Sequence, residues 1–281
     1  MSKVKSLDIL TLNDRRIRVL IQGFPVAYVN ALRRLALSDV PTMAVDYVYF
    51  YDNNTGIHDE IIAHRLGLTV LKSDAALSKY KFPEECREAP EGERDCYVEI
   101  EIEERLEPTE LSGKYVTAEA MKISDPDVKP AYPGTVLFYI APGQSVHLVA
   151  FARLGRGREH AKWSPATVAS SKYVPVVYYD GSKASEECLR CVEAYPEVRK
   201  ALESGGRGHL ELLNFRNTSG LRYCAEAVCN GALHVEYDNT KLILDIESSG
   251  ALRPERIIFE ATKCLEKRVQ RLLELIKEEG A

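Results

Sequence analysis

Ile258, Leu265 and Leu272 recur at seven-residue spacing near the end of this 281-residue chain, joined by Ala261, Val269 and Ile276. The periodicity predicts one long helix from Pro254 to about Lys277. At 1.5 Å per residue its roughly 24 residues would span roughly 36 Å. Such a helix can cross its own domain and still present a seam to a second protein.

A second helix is predicted near the start, where Pro25 suits a first helical turn and Pro41 stops extension after about Ser38. Val26, Val29, Leu32, Leu35 and Ala36 leave only Asn30, Arg33 and Arg34 as a polar group. A helix apolar over most of its circumference is buried on more than one side, which points to a second protein on its other face. The polar trio reads either as a solvated face or as contacts within an assembly.

Between the two helices the pattern is β. Residues 7–12 and 17–21 read as two strands turning at Asn13-Asp14. Val45, Tyr47, Tyr49 and Tyr51 alternate with Ala44, Asp46, Val48 and Phe50, and Val98, Ile100 and Ile102 with Glu99, Glu101 and Glu103. Further strands are expected near residues 115–123, 135–140 and 145–154. A loop is expected over residues 81–95, and a hairpin turning at Asp238-Asn239 between residues 235–237 and 241–246. The expected fold is α+β.

No apolar run approaches the roughly 20 residues of a membrane helix. Residues 1–10 read as a polar-apolar strand with no secretion signal, so a cytoplasmic protein is expected. The net charge of −5 argues against a dedicated nucleic-acid binder.

Chemistry-bearing residues are few. Asp59, Glu60 and His64 do not follow the H-E-x-x-H spacing of a metalloprotease helix, so His64 reads as structural. Gly155-Arg156-Gly157-Arg158 lacks the full phosphate-cradling pattern and reads as an exposed loop that docks on another protein. Arg153, Arg156, Arg158 and Lys162 with Trp163 suit phosphate and base contacts, but Arg and Trp also dominate protein–protein hot spots.

The seven cysteines are odd in number and dispersed, unlike a secreted disulfide framework. Cys86 and Cys96 supply two of the four ligands of a closed zinc site, and a free pair or a disulfide is the preferred reading. Cys264 falls on the apolar stripe of the last helix and reads as a core residue. Residues 183–229 hold Cys188, Cys191, Cys224 and Cys229 and read as a small inserted module. Its x2 and x4 spacings leave three outcomes open: an iron–sulfur site, a metal between two pairs, or disulfides.

Four collinear blocks resemble the α-like subunit family of multisubunit RNA polymerases. Asn30-Ala31-Leu32-Arg33-Arg34 with Ser38-Asp39-Val40-Pro41 resembles the family's first dimerisation helix and its exit. Asp59-Glu60 with Ala63-His64-Arg65-Leu66-Gly67-Leu68 is similar to its second signature. Residues 143–165, with LGRGREHAKWSP, look like the archaeal and eukaryotic version, and residues 243–265 like the final strand and second dimerisation helix. The cysteine module resembles the ferredoxin-like insertion of the archaeal branch, the D subunits. It departs from C-x2-C-x2-C-x3-C-P, because Tyr195-Pro196 stands where Cys-Pro is expected and Asn230 follows Cys229.

The resemblance implies a dimerisation domain from residues 1–42 and 233–281, an inserted β-rich domain at 43–180 and a ferredoxin-like module at 181–232. It implies a non-catalytic assembly subunit that pairs with the smaller α-like subunit L and recruits subunits N, P and B. The implied contacts are Val26, Val29, Asn30, Leu32, Arg33, Arg34, His64, Arg65, Arg156, Arg158, Trp163, Ile258, Leu265 and Leu272. No catalytic residue and no cofactor are expected, with Cys188, Cys191, Cys224 and Cys229 a degenerate iron–sulfur site at most. Cys86 and Cys96 become a remnant of the zinc loop of eukaryotic relatives. The alternative is an iron–sulfur electron-transfer protein, resting on those four cysteines alone.

Overall fold

The computed structural model describes residues 5–86, 90, 93–215 and 218–279. Residues 1–4 of the expected N-terminal strand, and 87–89 and 91–92 of the expected 81–95 loop, lie outside the described residues. In chain order the elements are β1 (Ser6–Leu12), β2 (Arg16–Gln22), α1 (Val26–Ser38), β3 (Pro41–Asn53), α2 (Asp59–Gly67), α3 (Ala76–Lys79), β4 (Tyr97–Arg105), β5 (Lys114–Thr117) and β6 (Lys122–Ile123). There follow β7 (Val136–Ile140), β8 (Ser145–Arg156), β9 (Ala166–Asp180), α4 (Glu186–Cys191), α5 (Pro196–Glu203), β10 (Arg207–Glu211), α6 (Ser219–Tyr223), β11 (Leu233–Ser248) and α7 (Pro254–Glu279). The fold is α+β, with sheets ordered β1-β2-β11-β9-β10, β3-β8-β4-β6 and β5-β7.

The chain forms two compact units. One contains Met1–Thr11, Arg18–Asn30 and Ser170–Asp245; the other contains Leu12–Ile17, Ala31–Ala169 and Ile246–Ala281.

In the first unit, Leu20, Val174 and Ile243 form a small apolar cluster with Leu10, Leu213 and Phe215. A larger one gathers Val177, Val192, Val198, Leu202, Leu221 and Leu233 around Cys188, Cys224 and Cys229. The Ser185 hydroxyl caps α4 by accepting from the Cys188 N–H at 3.2 Å, and Pro196 opens α5 where no N–H is needed. The expected hairpin at Asp238-Asn239 is not formed, and β11 runs unbroken through both residues. The reason is local. Asp238 Oδ1 accepts from the N–H and hydroxyl of Thr240 at 2.8 and 2.6 Å. An Asx-type bond thus satisfies the aspartate without reversing the chain. The Thr240 carbonyl, in turn, accepts from the Gly23 N–H at 3.1 Å.

In the second unit, the alternation read from sequence becomes a sheet with one buried face. Val98, Ile100, Ile102, Leu148, Ala150 and Ala152 are buried. α2 turns Ile62 and Leu66 inward, both with no exposed surface. The strand expected over 115–123 is two short strands instead. A 3-10 turn at Ala118–Ala120 separates them, so β5 pairs with β7 and β6 with β4. Cys86 and Cys96 form a disulfide with Cα atoms 5.8 Å apart, one of the two states the sequence left open.

Candidate protein interface

α1 carries two faces. Val29, Leu32, Leu35 and Ala36 are buried within the chain, which accounts for half of the expected double burial. On the other side Val26 is 40% exposed, Arg34 is exposed, and Asn30, Ala31 and Arg33 are half-buried. Asn30 is held by the Ser171 hydroxyl, which donates to its side-chain oxygen at 3.0 Å.

α7 is anchored by its first turns. Ile257 and Ala261 are fully buried. The buried Glu260 carboxylate is paired with Arg256 at 2.9 Å and Lys263 at 3.3 Å. Ile258 and Leu265 are half-buried, and from Glu266 to Glu278 every residue is exposed. Leu272 is 57% and Ile276 58% exposed, with Val269 and Leu273 close behind. The predicted seam is therefore open to solvent along the distal half of the helix.

The block at the β8–β9 connection differs from the exposed loop expected. Trp163 is only 4% exposed. Its indole N–H donates to the Arg153 carbonyl at 3.3 Å. The Arg153 guanidinium and Lys162 ammonium lie 4.5 and 4.2 Å from the ring centroid. Both cations also meet Asp46, at 2.7 and 3.4 Å. Burial holds the Lys162 ammonium below the ordinary lysine range despite that carboxylate.

Arg156 makes a two-pronged contact with Glu84, Nε to Oε1 at 2.8 Å and Nη2 to Oε2 at 2.9 Å, and donates to the Asp39 carbonyl. That bonding holds the Glu84 carboxyl below its usual range. Buried Asp39 receives Arg158 at 3.4 Å and also Arg268 of α7. These groups line an open cleft of about 610 Å³, with Cys264 half-buried in its wall and its thiol pushed up by burial. The basic residues of this block are thus engaged with Asp39, Asp46 and Glu84 of the same chain. Glu84 and Asp39 were invisible as partners in sequence, because 72 and 117 residues separate them from Arg156.

His64 and Arg65 lie exposed on α2, Arg65 donating to the Val136 carbonyl at 3.4 Å. Asp59 accepts from the Asn53 amide at 2.6 Å. In the cysteine module, Cys188 is bonded to Cys229 and Cys191 to Cys224, with Cα separations of 4.7 and 5.8 Å. All four sulfurs are consumed in disulfides. Among the described residues, no group of three or more His, Cys, Asp or Glu is placed to hold a metal ion. Nor is any helix long and apolar enough to cross a membrane.

The decisive comparison concerns residues 18–269, which match the family model described as the RNA polymerase Rpb3/Rpb11 dimerisation domain. The chain belongs to this family. It is 52% identical over 276 residues to DNA-directed RNA polymerase subunit Rpo3 of Aeropyrum pernix, covering 98% of this chain and 96% of the relative. Rpo3 of Methanothermobacter thermautotrophicus is 33% identical, with 92% and 94% covered. Rpb3 of RNA polymerase II from Dictyostelium discoideum is 28% identical, with 96% and 94% covered. The resemblance drawn from the four sequence blocks is borne out. The matched span takes in α1 and follows α7 as far as Val269.

Proposed function

We propose that this chain is a non-catalytic assembly subunit of an archaeal DNA-directed RNA polymerase, working in the cytoplasm as the larger of two α-like subunits. The observation that carries the reading is the distal half of α7, whose Val269, Leu272, Leu273 and Ile276 stand exposed on one helix of a dimerisation family. Contiguous apolar surface of this kind marks a protein contact. Its occupant is the smaller α-like subunit, L in archaea, meeting α7 and the open side of α1 through Val26, Arg33 and Arg34. The resulting heterodimer recruits subunits N, P and B, with Arg158, His64 and Arg65 among the exposed contacts. Residues 1–42 and 233–281 serve dimerisation, 43–180 form the inserted β-rich part, and 181–232 are a ferredoxin-like module braced by its disulfides. Nucleotidyl transfer belongs to the large subunits. His64, Asp59 and Glu60 serve assembly or stability.

Nothing favours the electron-carrier alternative, whose four cysteines are tied in pairs. The test is reconstitution of the polymerase from separate subunits with alanine at His64, Asp59 or Glu60. Assembled enzyme should keep its rate of nucleotide addition, and any defect should appear as lost assembly. A variant that assembles normally and loses nucleotide addition by orders of magnitude would contradict the proposal.

A further inference from the structure

The solvent face of the β3-β8-β4-β6 sheet carries an aromatic and acidic surface. In the antiparallel register Tyr47 pairs with Phe151 and Phe151 with Glu99, and the next row is Tyr49, Val149 and Glu101. Directly paired residues share a face, so this face grades from tyrosines on β3 to carboxylates on β4. The rings form one contiguous group. Tyr47 lies 4.9 Å from Phe151, 5.4 Å from Tyr97 and 5.6 Å from Tyr49 between centroids. Tyr49 and Tyr51 are 46% and 67% exposed. Glu103 continues the acidic row opposite His147; His147 lies 3.3 Å from Glu101, and Lys122, itself 60% exposed, reaches Glu101 and Glu103 at 3.5 and 3.6 Å.

A solvated sheet face ordinarily alternates polar side chains. Exposed tyrosines beside a carboxylate row suit a guanidinium, which stacks on aromatic faces and binds carboxylates through two parallel hydrogen bonds. The same carboxylates repel phosphates, so stacked nucleic-acid bases fit this face poorly. We infer that this tyrosine–glutamate face docks an arginine-bearing segment of another protein subunit in the assembled polymerase. The inference rests on the assembly reading only in placing the partner within that complex.

The experiment uses full-length chain with p-benzoylphenylalanine at position 51, assembled into polymerase and irradiated, with cross-linked peptides identified by mass spectrometry. The same photoreactive group at position 272 serves as the control for pairing with the smaller α-like subunit. The expected result at position 51 is a cross-link to a protein segment next to an arginine. It should be lost when Glu99→Lys, Glu101→Lys and Glu103→Lys are combined in a chain whose circular dichroism is unchanged. Cross-linking to nucleic acid, to a segment without arginine, or persistence in the triple variant overturns the inference. Silence at position 51 with a reactive position 272 overturns it alone, and silence at both overturns the assembly reading as well.

Discussion

Asp125 is a buried carboxylate, and its surroundings make a clean test of local energetics. Burial alone would raise its pKa. The Asp127 N–H at 2.9 Å, the Tyr80 hydroxyl at 2.8 Å and the Lys79 ammonium at 3.0 Å outweigh that, and the carboxyl sits below the usual aspartate range. Tyr80 is in turn pushed up to about 12, by burial first and then by donating to Asp125. A depressed folded-state pKa adds stability above the unfolded value, and that stability is lost as pH falls through the folded value. Asp125→Asn should therefore cost about 1–3 kcal/mol at neutral pH. Denaturant melts at several pH values should show the gap to the parent chain narrowing below about pH 4. A gap that widens in acid would reverse the sign of the argument. Gly157 tests packing at the same scale. A Cβ there would collide with the Leu37 carbonyl oxygen, which is backbone and cannot rotate away. The Arg158 N–H also donates to the Ser38 carbonyl at 2.9 Å, fixing the turn against the end of α1. Gly157→Ala should destabilise by about 1–3 kcal/mol, read as a fall in Tm of roughly 2–4 °C per kcal/mol. An unchanged Tm would show that the turn can yield.

At the scale of elements, α7 separates folding from pairing along its own length. Leu265 is half-buried in its own chain and Leu272 is not. Leu272→Asp should abolish association with the α-like partner in a pull-down while leaving the chain's own melting unchanged, because an aspartate there meets water until the partner arrives. Leu265→Asp should impair both. Equal loss of folding by the two variants would mean the distal helix packs on its own domain. The disulfides give a second element-scale test. Thiol titration of denatured, unreduced chain should find Cys264 alone, and all seven thiols after reduction. Five or more free thiols before reduction would contradict the pairing in the cysteine module. Legibility from sequence differed among these elements for physical reasons. α7, α1 and the strands alternating Val, Tyr and Glu were legible because each buries one face and so imposes a period on its residues. β11 was misread at Asp238-Asn239, since a turn-forming aspartate can satisfy itself inside a strand by bonding Thr240. β9, with Pro175 in its interior, went unread as a strand; its alternation is weak, and the Pro175 carbonyl still accepts from Leu212 at 3.0 Å.

For the whole molecule, the proposed interface is legible only where apolar residues recur on helices. The charged block at residues 153–163 pointed outward in sequence because Arg and Trp suit docking. Its anchors, Asp39, Asp46 and Glu84, come from distant parts of the chain, and no local pattern reveals a pairing across such separations. Arg158, about half exposed, keeps surface to offer a partner, as do its exposed neighbours Glu159 and His160. The central claim is that this chain completes its apolar surface by pairing with a smaller α-like subunit, and native mass spectrometry of the two chains expressed together tests it most directly. The account predicts a one-to-one complex that survives dilution, with the chain expressed alone self-associating or aggregating. A monodisperse monomer that ignores the α-like subunit would contradict it.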